Sequence, residues 1–162
     1  MLGQGTTFTL DLPRAADVRD SRSHTADQRT IPGAGETILL VEDLLSVRTV
    51  MREWLARNGY RILEADSGET ALKLADSFHS PIDLLLTDVV MPAMSGRELA
   101  QRVQALRPEV RVLYTSGYTD DLIAHHGVLE AGVSFLQKPF TQQQLLQKLR
   151  EVLDHGRPSS IQ

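Results

Sequence analysis

The chain has 162 residues, 41% of them hydrophobic, enough for one globular core of ordinary size with some tail left over. Its 21 acidic and 17 basic residues leave a net charge of -4, which offers no basic footprint to a nucleic acid. Cysteine is absent, which excludes disulfides and thiolate metal sites, and the apolar runs fall short of the roughly 20 residues a membrane helix needs. Met1-Leu-Gly-Gln lacks a secretory pattern, so the chain reads as soluble and cytoplasmic, with no membrane contact.

Residues 1–13 combine a Gly-rich turn with an alternating strand in which Phe8, Leu10 and Leu12 face one way. The Gly3-Gln-Gly5-Thr6 run before that strand resembles the very end of a histidine-kinase ATP-binding domain. Such a remnant lacks the rest of a nucleotide site, so ATP binding is not expected. Residues 14–36 show almost no apolar periodicity and end in Pro32-Gly-Ala-Gly35; they read as a flexible linker that buries too little surface to repay its ordering entropy.

From Thr37 to His155, strand and helix patterns alternate. Residues 38–41 form a buried strand stopped by Glu42-Asp43. Val47, Val50, Met51, Trp54 and Leu55 then recur at helical spacing, and Asn58-Gly59 closes that helix. A second strand covers residues 61–65. Ser67 is placed to cap a helix that turns Ala71, Leu72, Ala75 and Phe78 inward. Ile82, Leu84, Leu85 and Leu86 are apolar on both faces, as in a covered parallel sheet, and their run ends at Asp88 before a Pro92 and Gly96 turn. Ser95-Gly-Arg-Glu98 is a capping-box pattern opening a helix whose buried face is expected to carry Leu99, Val103 and Leu106. Residues 110–114 form a fourth strand leading to Ser116-Gly117. Residues 120–131 predict a short or broken helix, because Gly127 in its interior costs about 1 kcal/mol relative to Ala. Residues 133–136 form the fifth strand. Lys138-Pro139 ends it, and Thr141-Gln-Gln-Gln144 caps a last helix with Leu145, Leu149, Val152 and Leu153 on one face. Residues 156–162 read as a disordered tail.

Five strands alternating with five helices predict a doubly wound α/β fold, a parallel sheet in the order 2-1-3-4-5 with helices on both faces, flavodoxin-like in topology. Ligands of such folds sit at the carboxyl ends of the strands, and this order makes the first and third strands neighbours. Glu42, Asp43 and Asp88 are therefore expected to converge, with Ser116 beside them and Lys138 leaning back from the fifth strand. Two unit charges about 4 Å apart repel by about 4 kcal/mol at an effective dielectric near 20, so three carboxylates predict a cation. Oxygen-only ligands suit a hard ion, and Mg²⁺, or Mn²⁺, fits. A carboxylate attacking phosphorus gives an aspartyl phosphate, and Lys138 and Ser116 are the groups that phosphate oxygens would want.

Glu42-Asp43, Asp88 with Met91-Pro92 and Gly96, Ser116-Gly117, and Lys138-Pro139-Phe140 together resemble the signature of a two-component receiver domain, over residues 37–155. The resemblance implies that Asp88 is the phosphoacceptor, that Asp43, Asp88 and the Val90 backbone carbonyl bind Mg²⁺ directly, and that Glu42 acts through water. It also implies that Ser116 is the switch hydroxyl, that Phe135 moves inward with it, that Lys138 pairs with the phosphoryl group, and that the Lys138-Pro139 bond is cis. The run Ser116-Gly-Tyr-Thr-Asp-Asp121, with His125-His126-Gly127 and the segment after Phe135, looks most like receivers fused to sensor histidine kinases, in agreement with the N-terminal remnant. The implied partners are a histidine-kinase phosphodonor domain and a histidine phosphotransfer protein or another receiver. No output segment precedes Gln162, so output is expected to pass through another protein. Taken by itself, the fragment would catalyse only its own phosphorylation.

Bland readings stand beside these. Asp43 is also suited to cap the first helix, Asp88 to hold a turn, Ser116 and Lys138 to sit in solvated loops, and Phe135 to fill the core. His125-His126 lacks a third ligand at metal spacing. An aspartyl-nucleophile phosphatase would place an acid two residues after Asp88, where the chain has Val90. A flavin mononucleotide carrier would not place Glu42-Asp43 at its phosphate loop, and a phosphorylation-independent binding module would not need the acidic set.

Overall fold

The computed structural model describes residues 33–117 and 133–154. The expected N-terminal strand, most of the linker, the helix around residues 120–131 with its histidine pair, and the tail lie outside them. The elements run β1 (Thr37–Val41), α1 (Leu45–Arg57), β2 (Arg61–Ala65), α2 (Gly68–Ser77), β3 (Leu84–Asp88), α3 (Gly96–Leu106), β4 (Arg111–Ser116), β5 (Ser134–Gln137) and α4 (Gln142–Asp154). All strand pairs are parallel, in the order β2-β1-β3-β4-β5, which is the expected topology.

Alternation along the central strands explains why they read as apolar throughout. Ile38, Leu40, Leu84, Leu86 and Leu113 meet Met51 and Leu55 of α1 and Leu145 and Leu149 of α4 on one face of the sheet. Leu39, Val41 and Leu85 meet Ala71 and Ala75 of α2 and Leu99 and Val103 of α3 on the other. Each of the buried Leu, Ile, Val and Met side chains contributes roughly 1.5–3 kcal/mol, so a polar residue in place of any of Ile38–Val41 or Leu84–Leu86 would damage one core or the other. The edge strands β2 and β5 show more exposed patterns.

The caps follow the sequence with one exception. Ser67 Oγ accepts the Thr70 N–H at 3.3 Å. Thr141 and Gln144 bond reciprocally, the Thr141 N–H to Gln144 Oε1 at 2.8 Å and the Gln144 N–H to Thr141 Oγ1 at 3.3 Å. At α3, Ser95 Oγ accepts the Glu98 N–H at 3.2 Å, but the Glu98 carboxylate turns along the helix to Arg102 at 2.6 Å instead of closing the box. Two inward assignments are corrected. Leu106 is 51% exposed and Val50 is 44% exposed. Leu106 is the last residue of α3, where Arg107 ends the helix by reaching the carbonyls of Ala75, Ser80 and Phe78, so the apolar stripe stops at Val103. Among the described residues, no helix is long and apolar enough to cross a membrane.

Candidate functional site

The site lies where β1 and β3 end side by side, in register from Ile38 opposite Leu84 to Val41 opposite Thr87. One residue past β1 stands Glu42, 1% exposed, and Asp88 is the last residue of β3. Lys138, one residue past β5, reaches back between them: its Nζ donates to Glu42 Oε2 at 2.7 Å and to Asp88 Oδ2 at 2.6 Å. Asp88 Oδ1 accepts the Val90 N–H at 3.1 Å. Carboxylate oxygens of Glu42, Asp43 and Asp88 all lie within 4.8 Å of one another. Ser116 is buried at the end of β4, its carbonyl accepting the Lys138 N–H at 2.7 Å. Phe135 is half-buried, in register with Tyr114. The Lys138–Pro139 peptide is cis.

The backbone around Asp88 is tightly held. Its carbonyl accepts the Thr87 hydroxyl at 3.0 Å, and a Cβ at position 96 would lie 2.0 Å from that same carbonyl oxygen, so only glycine fits there. The Gly96 N–H donates to the Val89 carbonyl at 2.9 Å. Between them, Ala93 adopts φ 65° in a γ-turn closed by the Met94 N–H on the Pro92 carbonyl at 2.7 Å, a strained conformation for a residue with a side chain. Asp43 does not cap α1; the N-cap is Leu44, and no side chain bonds there.

Charge is unevenly distributed in this pocket. Burial raises the pKa of Glu42; Lys138 opposes the rise, and the carboxylates of Asp88 and Asp43 add to it. Burial disfavours the Lys138 ammonium too, yet its bonds to Asp88 and Glu42 outweigh that and hold its pKa above the ordinary value. The two directions agree: one ammonium shared by two carboxylates is firmly charged, whereas Glu42 competes for it from the most buried position. Glu42 Oε1 is buried with no hydrogen-bond partner, a costly state for a carboxylate oxygen. An oxygen-only donor set with an excess of negative charge and an orphaned acceptor fits a hard divalent cation with its attendant water.

The sequence missed two supporting contacts. The Thr87 hydroxyl, which donates to the Asp88 carbonyl and also reaches Met91 Sδ, gives no sequence pattern, and neither does Arg48, one turn into α1, which donates from Nη1 to the Glu42 carbonyl at 2.6 Å.

A doubly wound parallel sheet with three carboxylates and a lysine at its carboxyl edge defines a receiver of the two-component class. Residues 38–150 match the response regulator receiver domain, and the chain belongs to that family. It is 33% identical over 160 residues to the sensor kinase CckA of Brucella abortus, covering 94% of this chain and 17% of that protein. It is also 30% identical over 116 residues to the response regulator receiver protein CpdR of the same organism, covering 72% of this chain and 95% of the relative. The solved receiver domain of the hybrid histidine kinase CckA superposes with a TM-score of 0.62 at 36% identity, covering 72% of this chain and 98% of that one. The first curated relatives are longer proteins, of which the chain spans 17%, 31% and 45%.

Proposed function

We propose that this receiver takes a phosphoryl group from a phosphohistidine onto Asp88, as the receiver part of a hybrid sensor histidine kinase. The observation that carries the proposal is the convergence of Asp88, Glu42 and Lys138 within direct bonding distance at one sheet edge. A carboxylate oxygen of Asp88 forms the new O–P bond as the P–N bond to the donor imidazole breaks, and the imidazole leaves with its electron pair and takes a proton from solvent. Lys138 sits ready to neutralise phosphoryl oxygens, and Ser116 offers a hydroxyl from the adjacent strand. Phe135 is assigned to follow Ser116 inward and alter the surface near β4 and β5. Asp43, Asp88 and the Val90 carbonyl are assigned to hold Mg²⁺ or Mn²⁺, with Glu42 acting through water. When bound, the ion supplies charge neutralisation on the phosphoryl oxygens.

A protein donor is supported by the rim. Leu44, Leu45 and Val90 are 57%, 68% and 57% exposed, and an apolar cavity of about 430 Å³ lined by Val47, Val50, Met51, Trp54, Pro139 and Phe140 opens beside Lys138. A hybrid-kinase origin is supported by the similarity to the sensor kinase: covering 94% of the chain, it must extend well upstream of the receiver. A phosphotransfer protein or second receiver would then take the group onward, in the cytoplasm.

Incubation with acetyl phosphate and Mg²⁺, followed by intact mass, tests the assignment. One base-labile phosphoryl adduct is expected on the wild type and none on Asp88→Asn; an adduct that survives that substitution overturns it.

A further inference from the structure

We propose that Arg48 is a positioning residue for the cation site, acting through the peptide that joins Glu42 to Asp43. This rests on the reading of that site as a Mg²⁺-dependent phosphoacceptor.

Arg48 donates to a carbonyl of unusual consequence. The Glu42 oxygen it holds at 2.6 Å belongs to the peptide unit linking the first two acidic residues. The Glu42 N–H on the preceding peptide is held by the Ala65 carbonyl at 3.3 Å. Both peptides flanking Glu42 are thereby held, and the second of them is the peptide from which Asp43 starts.

Little else does this work. The loop into α1 has no capping side chain, since Leu44 occupies the N-cap. No hydrogen bond among the described residues holds the Asp43 carboxylate, so its direction follows its backbone. Asp43 lies within 4.8 Å of two other carboxylates that repel it, and an unanchored loop would swing it outward. Arg48 itself is anchored one turn into α1, where its own N–H donates to the Leu44 carbonyl at 2.9 Å. The guanidinium thus ties the acidic loop to a rigid helix, in the way that outer-shell partners orient metal ligands.

The sign of the effect separates positioning from mere proximity. A cationic side chain near a cation site repels the ion, so deleting Arg48 would tighten Mg²⁺ binding if charge were its only role. Loss of positioning would weaken it, by about 10-fold or more. Titration calorimetry of the full chain with MgCl₂ compares wild type, Arg48→Ala and Arg48→Lys. The expected order of affinity is wild type, then Lys, which keeps a donor on a flexible stem, then Ala. Nuclear magnetic resonance on the metal-free proteins provides a second readout: the Asp43 and Leu44 amides should lose order in Arg48→Ala while the sheet amides do not. If Arg48→Ala does not fold, Arg48→Lys carries the test through its partial loss of affinity. Equal or tighter binding by the variants overturns the positioning role while leaving the phosphoacceptor reading intact. A wild type that takes up no Mg²⁺ overturns that reading and this inference together.

Discussion

Two buried glutamates bracket β1. Each is paired with a basic residue from the last part of the chain, and they behave oppositely. Before the strand, Glu36 accepts from Arg150 at 2.8 Å and from the Ala34 N–H at 2.6 Å. Arg150 also bonds Asp154 at 3.1 Å and lies 6.0 Å from the centre of the Tyr60 ring. Gly33 packs flat against that ring, where a Cβ would lie 2.7 Å from its nearest carbon. Burial disfavours the Glu36 carboxylate, but Arg150 and the backbone donors outweigh it and hold its pKa below the ordinary range. After the strand, Glu42 shares one lysine with Asp88, lies beside Asp43, and is pushed up. Burial is common to both, so charge balance decides the outcome. One buried acid, with the exposed Asp154 on the other arm of a fork-shaped cation, makes a structural clasp between the entering chain and α4; three acids facing one ammonium leave a deficit that a further cation can fill.

Removing each basic partner should expose that difference most sharply. Lys138→Met and Arg150→Met each break a buried pair and should cost about 3 kcal/mol, or roughly 12 °C in melting temperature without metal. Mg²⁺ should restore most of the loss in Lys138→Met, whose carboxylates then face the ion unopposed, and only the wild-type increment in Arg150→Met. Equal rescue of both variants, followed by calorimetric scanning with and without MgCl₂, would erase the contrast.

Neutralising the acids comes next in size. Glu36→Gln should lose about 1.5 kcal/mol at neutral pH, the worth of a charge-assisted bond. Because the folded pKa of Glu36 is depressed, its stabilisation is present above the unfolded value and disappears as pH falls through the folded one, so the gap to wild type should close in acid. A gap that persists there would assign the clasp to packing.

Glu42→Gln should give the smallest change, with the opposite sign. A raised folded pKa means that stability is fully present below the unfolded value and is lost as pH rises through the folded one. The metal-free variant should therefore melt slightly above wild type at pH 7 and converge with it in acid. A lower melting temperature at pH 7 would mean that the Lys138 bond outweighs burial.

Among the described residues, the sequence by itself determined the order of strands and helices, most of both core faces and which acids meet at the strand ends. Apolar runs, helical spacing and caps are local properties, and the placement of β1 beside β3 follows from a topology rule once strands and helices alternate. Glu42, Asp88 and Lys138 were legible because each ends a strand at the edge where such folds gather ligands. Tertiary structure decided what depends on closure. Leu106 keeps helical spacing yet faces solvent, because α3 runs past the edge of its core. The Glu36–Arg150 pair joins positions 114 apart, in a segment whose composition reads as linker. Arg48 looks like any solvated helix arginine until the fold brings a strand-end carbonyl within 2.6 Å of it. Periodicity records which side of an element meets the sheet, but the partner of a charged group is set by where whole elements come to rest.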